Sequence, residues 1–244
     1  MTLALIDADI LVYRVGFASE DQPSGIALAR LRETFGGILR SLDLQDYVAY
    51  LTSTDHSNFR YKIYPEYKAN RKQPKPIHYD LLRAALEEDY GAKVVYGYEA
   101  DDAIGIHNFQ RQGDAIVVSI DKDLKQLPGK HYNFVKGILF NVTPEEGLKY
   151  FYNQLLMGDR TDNIPGLTGI GEKKAAAALA RAGVEEHMFK IATEMYKKEF
   201  PDTWESEMLR NGRLLKILQK DDELWDFPDV DATQTERSAT NDPD

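Results

Sequence analysis

Carboxylates dominate the chemistry this sequence offers. Asp7 and Asp9, Asp55, and Asp121 and Asp123 stand at or just after the ends of short apolar runs. Glu99, Asp101 and Asp102 open a segment of helical pattern, and Asp159 and Asp162 lie three apart in Met157-Gly158-Asp159-Arg160-Thr161-Asp162-Asn163. Any one of them has an ordinary explanation, because Asp caps helices and suits loops. The set does not. Like charges about 4 Å apart repel by about 4 kcal/mol at an effective dielectric of about 20, so a crevice holding several carboxylates calls for cations. Hard oxygen ligands without His or Cys fit Mg²⁺ or Mn²⁺. Two such ions about 4 Å apart serve phosphodiester hydrolysis, one activating water and the other steadying the leaving oxygen.

Other chemistries find less support. The sequence has no cysteine, which excludes disulfides, zinc–thiolate sites, iron–sulfur clusters and thiol nucleophiles. His56, His78, His107, His131 and His187 show no ligand spacing and read as surface or structural residues. There is no nucleophile elbow and no P-loop. Gly169-Ile170-Gly171 lacks the third glycine of a dinucleotide fingerprint and does not follow a strand.

The elements that must position these carboxylates alternate. Leu3–Ile6 reads as a buried strand ending in Asp7, and Ser24 opens a helix with Leu28, Leu31, Phe35, Ile38, Leu39 and Leu42 on one face. Tyr47–Leu51 is a second strand, followed by a helix around Leu81, Leu82, Ala85 and Leu86 that Gly91 closes. Val94-Val95, a helix over 99–111 stopped by Gly113, and the strand Ala115–Ile120 complete the pattern. The alternation predicts an α/β domain over 1–142 with a mostly parallel sheet, whose strand carboxyl ends border a ligand crevice. After about residue 143 the strands are expected to stop. Thr143-Pro144-Glu145-Glu146 is a capping box, and helices are predicted over 173–182 and 203–219, so 143–220 reads as a helical subdomain. Residues 221–244 read as an acidic tail, disordered from about 230.

The net charge of −10 argues at first against a nucleic-acid partner. Nine acidic residues and one basic residue fall from Asp221 onward, however, so residues 1–220 carry only −2. Two segments are basic. Arg60-Tyr61-Lys62 and Tyr64–Lys72 interleave cations with aromatic rings, the composition of a single-strand binding surface, with a solvated basic loop as the plain alternative. If Lys68 starts a helix, Lys68, Arg71 and Lys72 share one face. Gly166–Ala175 is a tight glycine turn into a helix whose N-terminus, with Lys173 and Lys174, suits a phosphate. No apolar run approaches the roughly 20 residues that span a bilayer, and the N-terminal residues lack the basic region and cleavage site of a signal peptide. The expectation is a cytoplasmic protein without a membrane partner.

Taken in order, these motifs resemble the 5′→3′ exonucleases and flap endonucleases, particularly the short bacteriophage exonucleases. The matching residues are Leu5-Ile6-Asp7, Asp55 before Phe59-Arg60, Tyr67-Lys68-Ala69-Asn70-Arg71, Glu99-Ala100-Asp101-Asp102-Ala103, Ser119-Ile120-Asp121-Lys122-Asp123, and Gly158-Asp159 through Asp162-Asn163-Ile164-Pro165-Gly166 into Gly169-Ile170-Gly171. They cover roughly residues 3–180, and Gly212–Leu218 resembles the closing helix of phage members. The resemblance implies a resolvase-like or PIN-like α/β domain with a short arch or clamp over about 59–78, then a helix–hairpin–helix-type DNA-binding element.

The resemblance also implies roles. Asp7, Asp55, Glu99, Asp101, Asp102, Asp121 and Asp123 would hold two Mg²⁺ or Mn²⁺ ions, with Asp159 and Asp162 as the last two carboxylates. Lys68 and Arg71 would meet the scissile phosphate, and Arg60, Tyr67, Asn70 and Lys72 would line the DNA path. Gly169, Gly171, Lys173 and Lys174 would grip duplex backbone, with a potassium ion on the hairpin carbonyls. Asp9 stands where many members have asparagine and stays outside the metal set. With nine carboxylates assigned to ions, the rest of residues 1–220 carries +7, which suits DNA. The implied partner is DNA with a 5′ end, overhang or flap, with RNA in RNA–DNA hybrids as a further class; if phage-encoded, the compartment is the host cytoplasm. Three alternatives stand beside this reading. They are a ribonuclease of related fold, a non-catalytic DNA-binding protein, and a phosphatase using Asp7 and Asp9 as a nucleophile pair.

Overall fold

A computed structural model describes residues 2–221 and 223–229. Two compact units make up the chain. The first comprises residues up to Gly147 together with Thr161–Asn163 and Ile217–Glu223; the second comprises Leu148–Arg160, Ile164–Lys216 and the described residues from Leu224 on.

The first unit is built on a sheet. Its elements are β1 (Leu3–Asp7), α1 (Ala8–Ala18), α2 (Ser24–Leu42), β2 (Tyr47–Thr52), α3 (Phe59–Ile63), α4 (Tyr79–Tyr90), β3 (Lys93–Val95), α5 (Ala100–Gln110), β4 (Ala115–Val118), β5 (Gly129–Asn133) and β6 (Ile138–Val142). The strand order is β3-β2-β1-β4-β5-β6, parallel up to β5, with β6 antiparallel at the edge. Side chains alternate across it. Ala4, Ile6, Ala49, Ile116 and Val118 pack with the apolar faces of α1, α2 and α4. Leu5, Ala115 and Val117 pack on the other side with Ile104 of α5, Leu124, Leu127 and Ile217. The chain runs from β1 outward through β2 and β3, then returns to place β4 on the opposite side of β1. The order therefore reverses between β1 and β4, where open α/β sheets place their ligand crevice.

Several local expectations change. The sheet gains the hairpin β5–β6, turned by Gly137 at φ +65°. α1 follows β1 without a loop, because Asp7 ends the strand and caps the helix, accepting from the Ile10 N–H at 3.1 Å. Its buried positions, Ala8, Leu11, Val12, Val15 and Gly16, carry the helical spacing in the sequence itself. Lys68 does not start a helix. It sits at φ +58° within the turns after α3.

The second unit contains most of α6 (Pro144–Met157), then β7 (Gly158–Asp159), β8 (Ile164–Pro165), α7 (Glu172–Leu179), α8 (Glu185–Glu199) and α9 (Trp204–Leu215). β7 and β8 form a two-residue antiparallel pair, so short strands occur here too. A Cβ at Gly158 or Gly166 would collide with backbone of the facing segment. The hairpin closes only because both positions are glycine. Buried Asn211 donates to the Pro165 carbonyl at 2.8 Å and to the Tyr196 hydroxyl at 3.1 Å, and that hydroxyl donates to the Leu155 carbonyl at 2.7 Å. The stretch read as an acidic tail begins as packed chain. Trp225 is buried against Phe151, their rings 5.4 Å apart, and Phe227 stacks on Trp204. The residues expected to be disordered, from about 230, lie outside the described residues.

Candidate active site

A cleft of about 300 Å³ opens at the switch point of the first unit. One wall carries Asp7, Asp9, Asp101, Asp121 and Asp123; another carries Lys68, Arg71, Glu99 and Asp162; Tyr13, Asn58, Tyr61, Lys75 and Tyr79 extend it.

The backbone explains the acidic wall. Asp7 ends β1 and Asp121 follows β4, strands paired as far as Ile6 and Val118. The Ser119 hydroxyl donates to Asp7 at 2.8 Å and accepts from the Asp121 N–H at 2.9 Å; Asp121 in turn accepts from the Asp123 N–H at 2.9 Å. This relay fixes the Asp7 carboxylate through Ser119 and the Asp121 carboxylate through the Asp123 N–H. Asp101 arrives in the first turn of α5. Burial, with Asp9 beside it, pushes the Asp7 carboxyl up to about 7. Burial, with Asp7 and Asp121 nearby, pushes Asp101 well above the usual carboxylate range. Asp7, Asp101 and Asp121 make no ion pair among the described residues. Asp9, left outside the expected metal set, also lines the cleft. It accepts from the Thr52 N–H at 2.9 Å and pairs with Arg83 at 3.2 Å.

The facing wall is compensated. Lys68 pairs with Glu99 and lies 3.7 Å from Asp162, while Arg71 pairs with Asp162. The buried Tyr67 hydroxyl lies 3.0 Å from both Glu99 and Asp162. Burial alone would raise Glu99; Lys68 and Arg60 outweigh it and pull it down to about 2.

Four expected site residues sit elsewhere or differently. Asp102 is fully buried and faces away from the cleft. It holds Arg60 through two hydrogen bonds, at 2.5 and 2.9 Å, and accepts from the Glu99 and Leu218 N–H groups, both at 3.0 Å. Arg60, expected along the DNA path, is 4% exposed for that reason. Tyr67 is 2% exposed, so its ring has no face open to a base. Asp55 is exposed and closes its own turn, accepting from the Ser57 N–H at 2.9 Å. Asn70 and Lys72 are exposed, as a surface role requires.

In the second unit Asp159 is buried in β7. Gly169 takes φ +72°, and Gly171 caps α7, leaving Lys173 and Lys174 exposed at its start. Lys174 donates to the Gly169 carbonyl at 2.8 Å, so an ammonium already occupies one carbonyl expected to serve potassium.

Among the described residues, no three carboxylate or imidazole groups converge on one ion as the side chains stand. The donor set still fits Mg²⁺, which keeps several waters and uses one or two carboxylates plus substrate phosphate. Asp7, buried, and Asp101 and Asp121, half-buried, offer oxygen only and have no ion-pair partner among the described residues, so they are the groups best suited to hold such an ion.

A mostly parallel sheet whose strand order reverses at an acidic crevice places the chain in the resolvase-like α/β class. The family model of the 5′-3′ exonuclease N-terminal resolvase-like domain matches residues 2–153, and the chain belongs to the 5′-3′ exonuclease family. A 5′-3′ exonuclease of Aquifex aeolicus is 29% identical over 238 residues, covering 88% of this chain and 81% of that protein. The flap endonuclease Xni of Shewanella baltica is 30% identical over 260 residues, covering 98% of both. DNA polymerase I of Caldicellulosiruptor bescii is 33% identical over 78% of this chain but only 25% of its own length. In fold, the chain is similar to the bacteriophage T5 flap endonuclease solved with DNA and metal ions, at a TM-score of 0.68 and 17% identity over 89% of each chain.

Proposed function

We propose that this protein is a divalent-metal-dependent 5′→3′ exonuclease and structure-specific flap endonuclease that hydrolyses DNA phosphodiesters near 5′ ends. One observation carries the reading. Carboxylates without an ion-pair partner among the described residues (buried Asp7 and half-buried Asp101 and Asp121) and paired cations (Lys68 and Arg71) share a single cleft at the sheet's switch point. Two divalent ions, Mg²⁺ or Mn²⁺, would supply a nucleophilic water at neutral pH and counter-charge for the leaving oxygen. Asp7, Asp101, Asp121 and Asp123 present carboxylates where those ions are needed, and Ser119 holds the Asp7 side chain and the Asp121 backbone. Lys68 and Arg71 donate to the non-bridging oxygens of the reacting phosphate, where negative charge grows.

The N-terminus of α7, with Gly169, Gly171, Lys173 and Lys174, suits duplex backbone away from the reacting bond. Potassium there would have to displace the Lys174 ammonium from Gly169. The test is an incubation of 5′- and 3′-labelled duplex, overhang, flap and RNA–DNA hybrid substrates with Mg²⁺, Mn²⁺ or EDTA. Products released from 5′ ends with metal and absent with EDTA are expected. Metal-independent cleavage, or cleavage only from 3′ ends, overturns the reading.

A further inference from the structure

The cations expected to meet substrate phosphate are not waiting for it. Lys68 is ion-paired to Glu99 and 3.7 Å from Asp162; Arg71 is ion-paired to Asp162 and donates to the Thr161 carbonyl at 3.5 Å. The Tyr67 hydroxyl reaches both carboxylates. The backbone repeats the join. The Lys68 N–H donates to the Asp162 carbonyl at 2.9 Å, and the Asn163 side chain donates to the Glu66 carbonyl at 2.8 Å. Lys68 and Asn163, at φ +58° and +59°, both adopt the left-handed conformation that makes these contacts. Two cations and two carboxylates thus form a closed, neutral quartet, with the Lys68, Glu99 and Asp162 side chains only 15–16% exposed.

We infer that Asp162, with Glu99, occupies in the free protein the anion site formed by Lys68, Arg71 and Tyr67, so that divalent ions and substrate phosphate bind by exchanging partners within this quartet. This rests on the proposed function and says how its two ligands are linked. A carboxylate and a phosphodiester each present two oxygens to the same donors. Recruiting Asp162 or Glu99 to an ion leaves Lys68 or Arg71 unpaired, and a phosphate alone leaves the carboxylates unpaired. With both ligands present every charge keeps a partner. The ion takes the carboxylates and the phosphate takes the cations. Each ligand therefore raises the affinity of the other, and by linkage the factor is the same in both directions.

The experiment measures Ca²⁺ binding to the free protein by calorimetry, and binding of a 5′-phosphorylated flap DNA with and without Ca²⁺. It compares wild type, Lys68→Met, Arg71→Gln and the charge-matched control Lys72→Gln. Arg71 is about half exposed, so its variant should fold even if the Lys68 variant does not. Arg71→Gln and Lys68→Met should bind Ca²⁺ more tightly than wild type, because a competitor for the carboxylates is gone. Lys72→Gln should not. Ca²⁺ should strengthen wild-type DNA binding within the usual coupling range of roughly 5–150-fold, and that factor should shrink in Arg71→Gln. If wild type binds both ligands but Arg71→Gln shows unchanged or weaker Ca²⁺ affinity, or no more gain than Lys72→Gln, the exchange is wrong and the proposed function stands. If wild type binds neither Ca²⁺ nor DNA, both fall.

Discussion

Asp101 and Asp102 are adjacent in sequence and belong to regions of opposite electrostatic character. Asp101 faces a cleft where Asp7 and Asp121 oppose its charge and, among the described residues, no ion pair answers it. Asp102 faces the interior, where Arg60 and two backbone N–H groups satisfy both its oxygens. About 100° of helical rotation separates the two directions. A carboxylate held against its neighbours is a site in need of a ligand, whereas one fully paired inside the protein supports the fold.

The sharpest way to break this contrast is the pair of isosteric variants. Asp102→Asn leaves the buried Arg60 charge unanswered, a loss on the order of 3–5 kcal/mol, visible as a large fall in Tm. Asp101→Asn removes repulsion instead, so at pH 7.5 without metal its Tm should hold or rise. Its hydrolysis should fall by more than about 100-fold, since even groups one step removed from a metal are worth 10–100-fold. Similar Tm changes in the two variants would dissolve the distinction.

A second test reaches across the cleft. Lys68→Ala should lower the single-turnover rate at saturating DNA by on the order of 10²–10³, the usual cost of one preorganised donor. A change confined to affinity would place Lys68 outside the reaction.

The third varies pH. Asp7 titrates near 7 when folded and near 3.8 when unfolded, so between those values the folded state holds more protons. Without metal, stability should therefore fall as pH rises from about 4 to 7, by up to about 1.4 kcal/mol per unit. Divalent ions should stabilise the protein more at pH 7.5 than at pH 5. Glu99 has the opposite sign, and its contribution disappears only as pH falls below about 4.5 toward 2. A flat metal-free profile between pH 5 and 7.5 would show that the acidic wall is solvated.

The smallest effect belongs to the second unit. Lys173→Ala with Lys174→Ala should weaken duplex binding and flatten the dependence of log affinity on log salt by roughly 0.9 per lost phosphate contact. Because Lys174 is engaged with Gly169, the loss should be nearer one contact than two. The rate at saturation should barely change, and a rate loss instead would bring this hairpin into the chemistry.

The sequence by itself determined the sheet and its acidic edge. Strand-length apolar runs ending in Asp7 and near Asp121, alternating with helices of clear period, encode a parallel sheet whose carboxyl ends carry acids, because local periodicity and capping are properties of neighbouring residues. The spacing also contained α1, overlooked because one aspartate ends the strand and caps the helix. Tertiary structure alone decided which carboxylates work together. Asp102 meets Arg60 from 42 positions away and the Leu218 N–H from 116; Asp162 meets Arg71 from 91. Burial and ion pairing depend on partners that distant in the chain. Residue type and spacing place a carboxylate on an element, and packing decides whether its charge is answered.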